Sequence, residues 1–253
     1  MMTRGGLLVG ALVVAALLAT VAVACGGGDD EEALQSTMVP SPGATGTPAG
    51  TAAATPTGTP SAVDEQLRGM VLQLSDVPAG FVPAEESFST NEDVAGAGED
   101  AAEVLARLTE WGRIRGHGVV FSSGGSDQSG ILLVDSTVSL YQSDGGATTS
   151  FADAVDTART TDWAATVAGA TDVSVEEIPP LDGVGDEMLW LRMNGKAVFG
   201  DPATEQPFVQ DVVLLRVGRA RGSVSIVSAV ADVALQVEGL VRTQAANMAT
   251  GLQ

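Results

Sequence analysis

The side chains able to do chemistry are few, and their scarcity limits what this chain can be. Among 253 residues there is one cysteine, Cys25, and one histidine, His117. One cysteine permits neither an intramolecular disulfide nor a cysteine-based zinc site, and one histidine rules out a paired-histidine metal centre. A nucleophile–base pair would have to use His117, within Arg113-Ile114-Arg115-Gly116-His117-Gly118. Its glycine and arginine neighbours place it on a strand edge or loop, where a structural histidine is the simpler reading. Neither Gly124–Ser126 nor Ser129-Gly130 forms the G-x-S-x-G elbow that strains a serine nucleophile, and the sequence lacks a phosphate-cradling glycine loop.

Carboxylates are abundant, with 32 Asp+Glu against 12 Lys+Arg and a net charge of −20. Such a field repels nucleic acid and anionic headgroups from the body of the protein. The most site-like acidic stretch is Asp182-Gly183-Val184-Gly185-Asp186-Glu187, whose glycines would let carboxylates converge on calcium. It matches no EF-hand spacing and reads more simply as a turn before a strand, so neither a metal nor a cofactor is expected. The basic residues carry more information because they are scarce. Arg216, Arg219 and Arg221 cluster at one hairpin, and Arg192 follows Trp190 by two residues on the same strand face. Guanidinium forks recognise carboxylate or phosphate and stack on aromatic rings. If that face lines a cleft, Trp190, Arg192, Tyr141 and Arg216 are the candidates to hold a sugar or a lipid headgroup. The alternative is that Trp190 is core and the arginines pair with the surplus carboxylates.

Cys25 has a different setting. Arg4 is the only basic residue before position 68, and it precedes Leu7–Ala24, 18 residues without a charge. A positive start followed by an apolar run is an export signal. The run ends Val21-Ala22-Val23-Ala24-Cys25-Gly26, which resembles the lipobox of bacterial lipoproteins, with Ala22 where leucine is commonest. That resemblance implies cleavage before Cys25, a diacylglycerol on its thiol and, as a rule, a further acyl chain such as palmitate on the new N-terminus. Two chains anchor a protein stably, whereas one is marginal. An uncleaved membrane span is the alternative, since 18 residues is just long enough.

The elements that would position any site begin after residue 62. Residues 25–62 hold the lipidated cysteine and a tether of Gly, Ala, Thr, Ser and Pro without an aromatic residue, a composition that cannot bury enough apolar surface to offset its ordering entropy. Fully extended it would reach roughly 115 Å, and as a coil roughly 35 Å. Residues 63–253 read as one globular domain. Helical spacing predicts helices over Val63–Leu74, Glu99–Gly112, Ala147–Val167 and Asp232–Thr250, the last capped by Asp232. Strands are predicted at Phe81–Ser89, Arg113–Ser122, Ile131–Gln142, Asp172–Ile178, Glu187–Met193, Phe208–Val217 and Ser223–Val230. Consecutive strands with short turns give an α+β fold, a mostly antiparallel sheet flanked by helices. Val209–Val217 is apolar on both parities and should be covered on both sides.

Three stretches also resemble a known group. Leu72–Phe81 (LQLSDVPAGF), Val184–Arg192 (VGDEMLWLR) and Asp211–Val227 (DVVLLRVGRARGSVSIV) resemble the opening, the G-D-E step and the hairpin of exported bacterial sensor-type domains. The group includes the extracytoplasmic domains of actinobacterial serine/threonine kinases, within a PsbP-like α/β/α architecture. Those kinase domains carry disulfides, which a domain without cysteine does not share. The expectation is a lipid-anchored module facing outside the cytoplasm, without enzymatic chemistry, binding or sensing a small lipid or sugar ligand. A structural lipoprotein that docks an envelope protein is the alternative, and a hydrolase using His117 comes third.

Overall fold

The computed structural model describes residues 61–97, 100–123, 130–166, 170–199, 204–230 and 233–253. The leader, Cys25, nearly all of the tether and the expected cap Asp232 lie outside these residues. The first helix, α1 (Ala62–Met70), opens on a capping box. The Ser61 hydroxyl accepts from the Asp64 amide while the Asp64 carboxylate accepts from the Ser61 amide. It ends before the expected Leu74, because the Leu72 amide donates to Ser136 Oγ (2.9 Å) on the sheet. Leu74 is exposed rather than core.

The remaining elements run β1 (Phe81–Ser89), α2 (Asn91–Gly96), α3 (Ala101–Glu110), β2 (Arg113–Ser123), β3 (Ile131–Tyr141), α4 (Asp144–Thr160), α5 (Trp163–Thr166), β4 (Thr171–Ile178), β5 (Glu187–Phe199), β6 (Thr204–Val217), β7 (Ala220–Ser228) and α6 (Ala234–Gly251). The seven strands form one antiparallel sheet in the order β1-β2-β3-β7-β6-β5-β4, so the domain is α+β. The β6–β7 hairpin turns in two residues, and Gly218 supplies the positive φ (+52°) that such a turn needs. Both edge strands are mostly exposed. Pro83, Glu85 and Glu86 on β1, and Glu176 and Glu177 on β4, discourage further strand pairing.

The two faces of the sheet are covered differently. On one, α1 and α6 pack Leu67, Met70, Val237, Val241 and Met248 against Val134, Val138, Val213, Leu215, Val224 and Ile226. On the other, α4 and α5 lay Phe151, Ala154 and Trp163 over Leu189, Leu191, Met193, Val212 and Leu214. Each buried Val, Leu, Ile, Met or Phe among them contributes about 1.5–3 kcal/mol. β6 is therefore buried at every position from Phe208 to Leu215, as expected for a strand covered on both sides. In β3 and β7 burial alternates instead, sealed toward α1 and α6 and half-open on the other face. α4 meets these two strands at the Tyr141 and Arg221 end, through Ser150, and α2 and α3 keep their own small cluster of Ala95, Val104 and Leu108.

Candidate functional site

The four ligand candidates fall on opposite faces of the sheet. Trp190 and Arg192 project from β5 toward the α1–α6 side, where β6 sets Asp211 directly across from Arg192. Asp211 is 1% exposed and fully engaged. Its Oδ1 accepts from Trp190 Nε1 (2.6 Å) and Arg192 Nε (2.9 Å), and its Oδ2 accepts from Arg192 Nη2 (3.1 Å). The guanidinium also lies 5.7 Å from the Trp190 ring centroid. A buried carboxylate needs such a bidentate partner to offset its desolvation, and the three side chains satisfy one another. Trp190 is 4% exposed and belongs to the core.

Tyr141 and Arg216 lie on the α4 side. Tyr141 is fully buried and its hydroxyl bonds Ser150 Oγ (2.6 Å), which also accepts from Arg221 (2.8 Å). Arg216 is held by Asp186, Glu187 and the Gly218 carbonyl. The acidic loop read as a candidate calcium site thus turns two carboxylates onto an arginine. Positive φ at Gly183 and Gly185 shapes the turn. Among the described residues no cluster of three or more His, Cys, Asp or Glu could hold a metal. The sheet separates Trp190 and Arg192 from Tyr141 and Arg216, so the four do not share one cleft.

His117 is buried on β2, with Nε2 3.1 Å from Glu86 Oε1 and its ring stacked on Phe88 at 4.3 Å. Burial pushes its pKa down, against the pull of Glu86. The Glu86 carboxyl is lowered by the hydrogen bond from Arg68, with a further contribution from His117. Arg68 and Arg115 both lie over the Phe88 ring. Among the described residues no hydroxyl bonds the imidazole, so the serine–histidine–carboxylate arrangement of a hydrolase is not formed there.

One of the buried acceptors left without a hydrogen bond among the described residues lies on the half-open face. Register places Glu85, Val120, Asp135 and Ser225 in one row across β1, β2, β3 and β7. Thr137 and Ser223 form the next row, hydroxyl to hydroxyl at 2.6 Å. On the other side Gln210 of β6 donates to Ser225 Oγ (3.1 Å). Val120 and Gln210 are buried, while Asp135, Thr137, Ser223 and Ser225 are half-buried. This is a polar shelf on central strands, beside the apolar ground that α4 covers. Asp135 Oδ1 is shut off from solvent and has no hydrogen-bond partner. Burial, reinforced by the charge of Glu85, pushes the Asp135 carboxyl up to about 7.

Sequence reasoning passed over both aspartates. Asp211 announces itself as the one charge within the run Phe208–Leu215 of β6. Asp135 is harder to find, since an acid on the polar parity of an alternating strand looks solvated until the fold buries one of its oxygens.

No family model matches the chain, and no curated protein matches it. Among solved structures it is similar to the crystal structure of the extracellular domain of PknH from Mycobacterium tuberculosis, with 11% identity over 74% of this chain and 94% of that one, and a TM-score of 0.46.

Proposed function

We propose that the chain is an exported, lipid-anchored module that captures a small ligand outside the cytoplasmic membrane, using the polar shelf around Asp135 as its binding face. Cys25 carries the lipid after the leader is removed, and residues 26–62 hold the domain away from the bilayer. Three features of the sequence support the anchor: the sole cysteine closes the apolar run, small residues precede it, and a composition without core-forming residues follows. Among the described residues no helix is long and apolar enough to cross a membrane.

The observation that carries the binding role is the unpartnered Asp135 Oδ1 on the half-open face of central strands. Buried polar groups are normally satisfied, and an exception asks for a missing partner. In this reading Tyr141 and Arg216 stand on the ligand-bearing face of the sheet, at its end. Trp190 and Arg192 fasten β5 to β6 from the opposite face through Asp211. The ligand is of the lipid-headgroup or sugar class.

Two experiments test the two halves. Cys25→Ser should abolish partitioning into a detergent phase; unchanged partitioning would replace the lipid with an uncleaved span. Native mass spectrometry of the full chain from its own host should show a bound small molecule, lost when Ser225→Trp fills the shelf. An empty wild type, or the same mass on both proteins, would remove the shelf from the account.

A further inference from the structure

We infer that the ligand held on this shelf carries a protonated amine, and that Asp135 is the group that receives it. The inference rests on the reading of the shelf as the binding face and names the chemistry that face selects.

The neutral donors and acceptors of the floor already satisfy one another. Thr137 is paired with Ser223, and Gln210 with Ser225. What remains is the half-buried Asp135 carboxyl, one of whose oxygens has no partner, with Glu85 across Val120 in the same row. The basic residues on this side of the sheet are committed elsewhere. Among the described residues Arg113 is bound to Ser89, Asn91 and Ser139, Arg221 to Ser150, Arg216 to Asp186 and Glu187, Arg107 to Asp153 and Arg159 to Glu177. The site therefore lacks both a hydrogen-bond donor and a positive charge, and an ammonium supplies both at once. A neutral polyol supplies donors without the charge and would compete with hydroxyl pairs already made. An anion meets Asp135, Glu85 and a chain of net charge −20. A metal ion would require more protein oxygens than converge here. A compact ammonium with three donors suits a single half-buried carboxyl better than a planar guanidinium fork.

Binding a cation favours the ionised form of Asp135, so the carboxyl gives its proton to solvent as the ammonium docks. The same chemistry occurs on amino sugars and on ethanolamine headgroups, and the test separates them.

Isothermal titration of the full chain in detergent micelles, at about pH 6, compares glucosamine with glucose and N-acetylglucosamine, and ethanolamine with ethylene glycol, as neutral counterparts. Repeating it in two buffers of different ionisation enthalpy counts the protons released. The expected result is that at least one ammonium probe binds at least about tenfold more tightly than its neutral counterpart, with release approaching one proton. Asp135→Asn should lose about tenfold or more of that affinity while melting cooperatively. Glu85→Gln, at an exposed site, should weaken it several-fold. Tighter binding of glucosamine assigns the amino sugar, and tighter binding of ethanolamine assigns the headgroup. Glucose binding that depends on Asp135 would overturn the ammonium while leaving the shelf as a binding face. Ammonium affinity unchanged in Asp135→Asn, no released proton, or no binding of either probe up to about ten millimolar would overturn the inference itself.

Discussion

Replacing Asp135 with asparagine should stabilise this protein, and only above a certain pH. The free carboxyl titrates near 3.8, and in the fold it is pushed up to about 7. Below about pH 4 folded and unfolded chains both hold the proton, so the residue adds no pH dependence there. Between about 4 and 7 the unfolded chain has released the proton while the folded one keeps it. Wild-type stability therefore falls as pH rises through this window, and the loss is complete above about 7. A difference of roughly three units at 1.36 kcal/mol each sets an upper bound of about 4 kcal/mol. Partial exposure of the residue brings the expectation to about 2–4 kcal/mol. Asparagine has the same shape and cannot ionise. Asp135→Asn should therefore match the wild type near pH 4 and exceed it by that amount near pH 8, raising Tm by roughly 5–15 °C. Paired urea titrations across the range isolate this residue from the other acidic groups, since those are common to both proteins. A stability difference that does not change with pH, or a variant less stable at pH 8, would refute the reasoning. An acid that costs stability where most proteins work is the kind of local cost retained for function.

Other expectations follow from the engaged groups. Asp211→Ala leaves the Arg192 guanidinium and the Trp190 indole without their shared acceptor; equilibrium denaturation should show a loss of about 3–5 kcal/mol. His117→Gln should flatten the acid limb of stability. Burial lowers the folded pKa of His117 below its ordinary 6.5, so the wild type loses stability as pH falls from about 6.5 through that lowered value, and glutamine does not; parallel acid-limb slopes in paired melts would contradict this. Gly146→Ala should destabilise strongly, because its Cβ would collide with the Trp111 carbonyl oxygen; a melt within about 1–2 °C of wild type would show that the start of α4 can shift.

Much of the fold was legible because periodicity and local capping agreed with the tertiary structure. The apolar stripe of α6, Val237, Leu240, Val241 and Met248, is buried as spaced, and β6 is covered on both faces as its composition demands. Where the reading erred, a long-range partner decided. Helix α1 stops at Met70 because Ser136, far along the chain, captures the Leu72 amide. β5 continues to Phe199 because β6 pairs with it along its whole length. The segment after β1 falls outside the predicted elements, yet Thr90 and Asp93 form a capping box that starts α2. The site was less legible than the fold. Strand parity correctly set Trp190 beside Arg192, but it could not show that Asp211 satisfies both. Nor could it show that Tyr141 and Arg216 project from the opposite face. Asp135 stayed hidden because its significance depends on which half of a sheet face α4 leaves uncovered, and that is settled by packing between elements distant in sequence.

The most direct test of the account is the titration of the Asp135 side-chain carboxyl carbon, followed by NMR in the full chain with Asp135→Asn to assign the signal. A midpoint near 7 is predicted, falling when an ammonium ligand binds. A midpoint in the ordinary range near 4 would mean that the carboxylate is solvated or paired, and the shelf would have no missing partner to recruit.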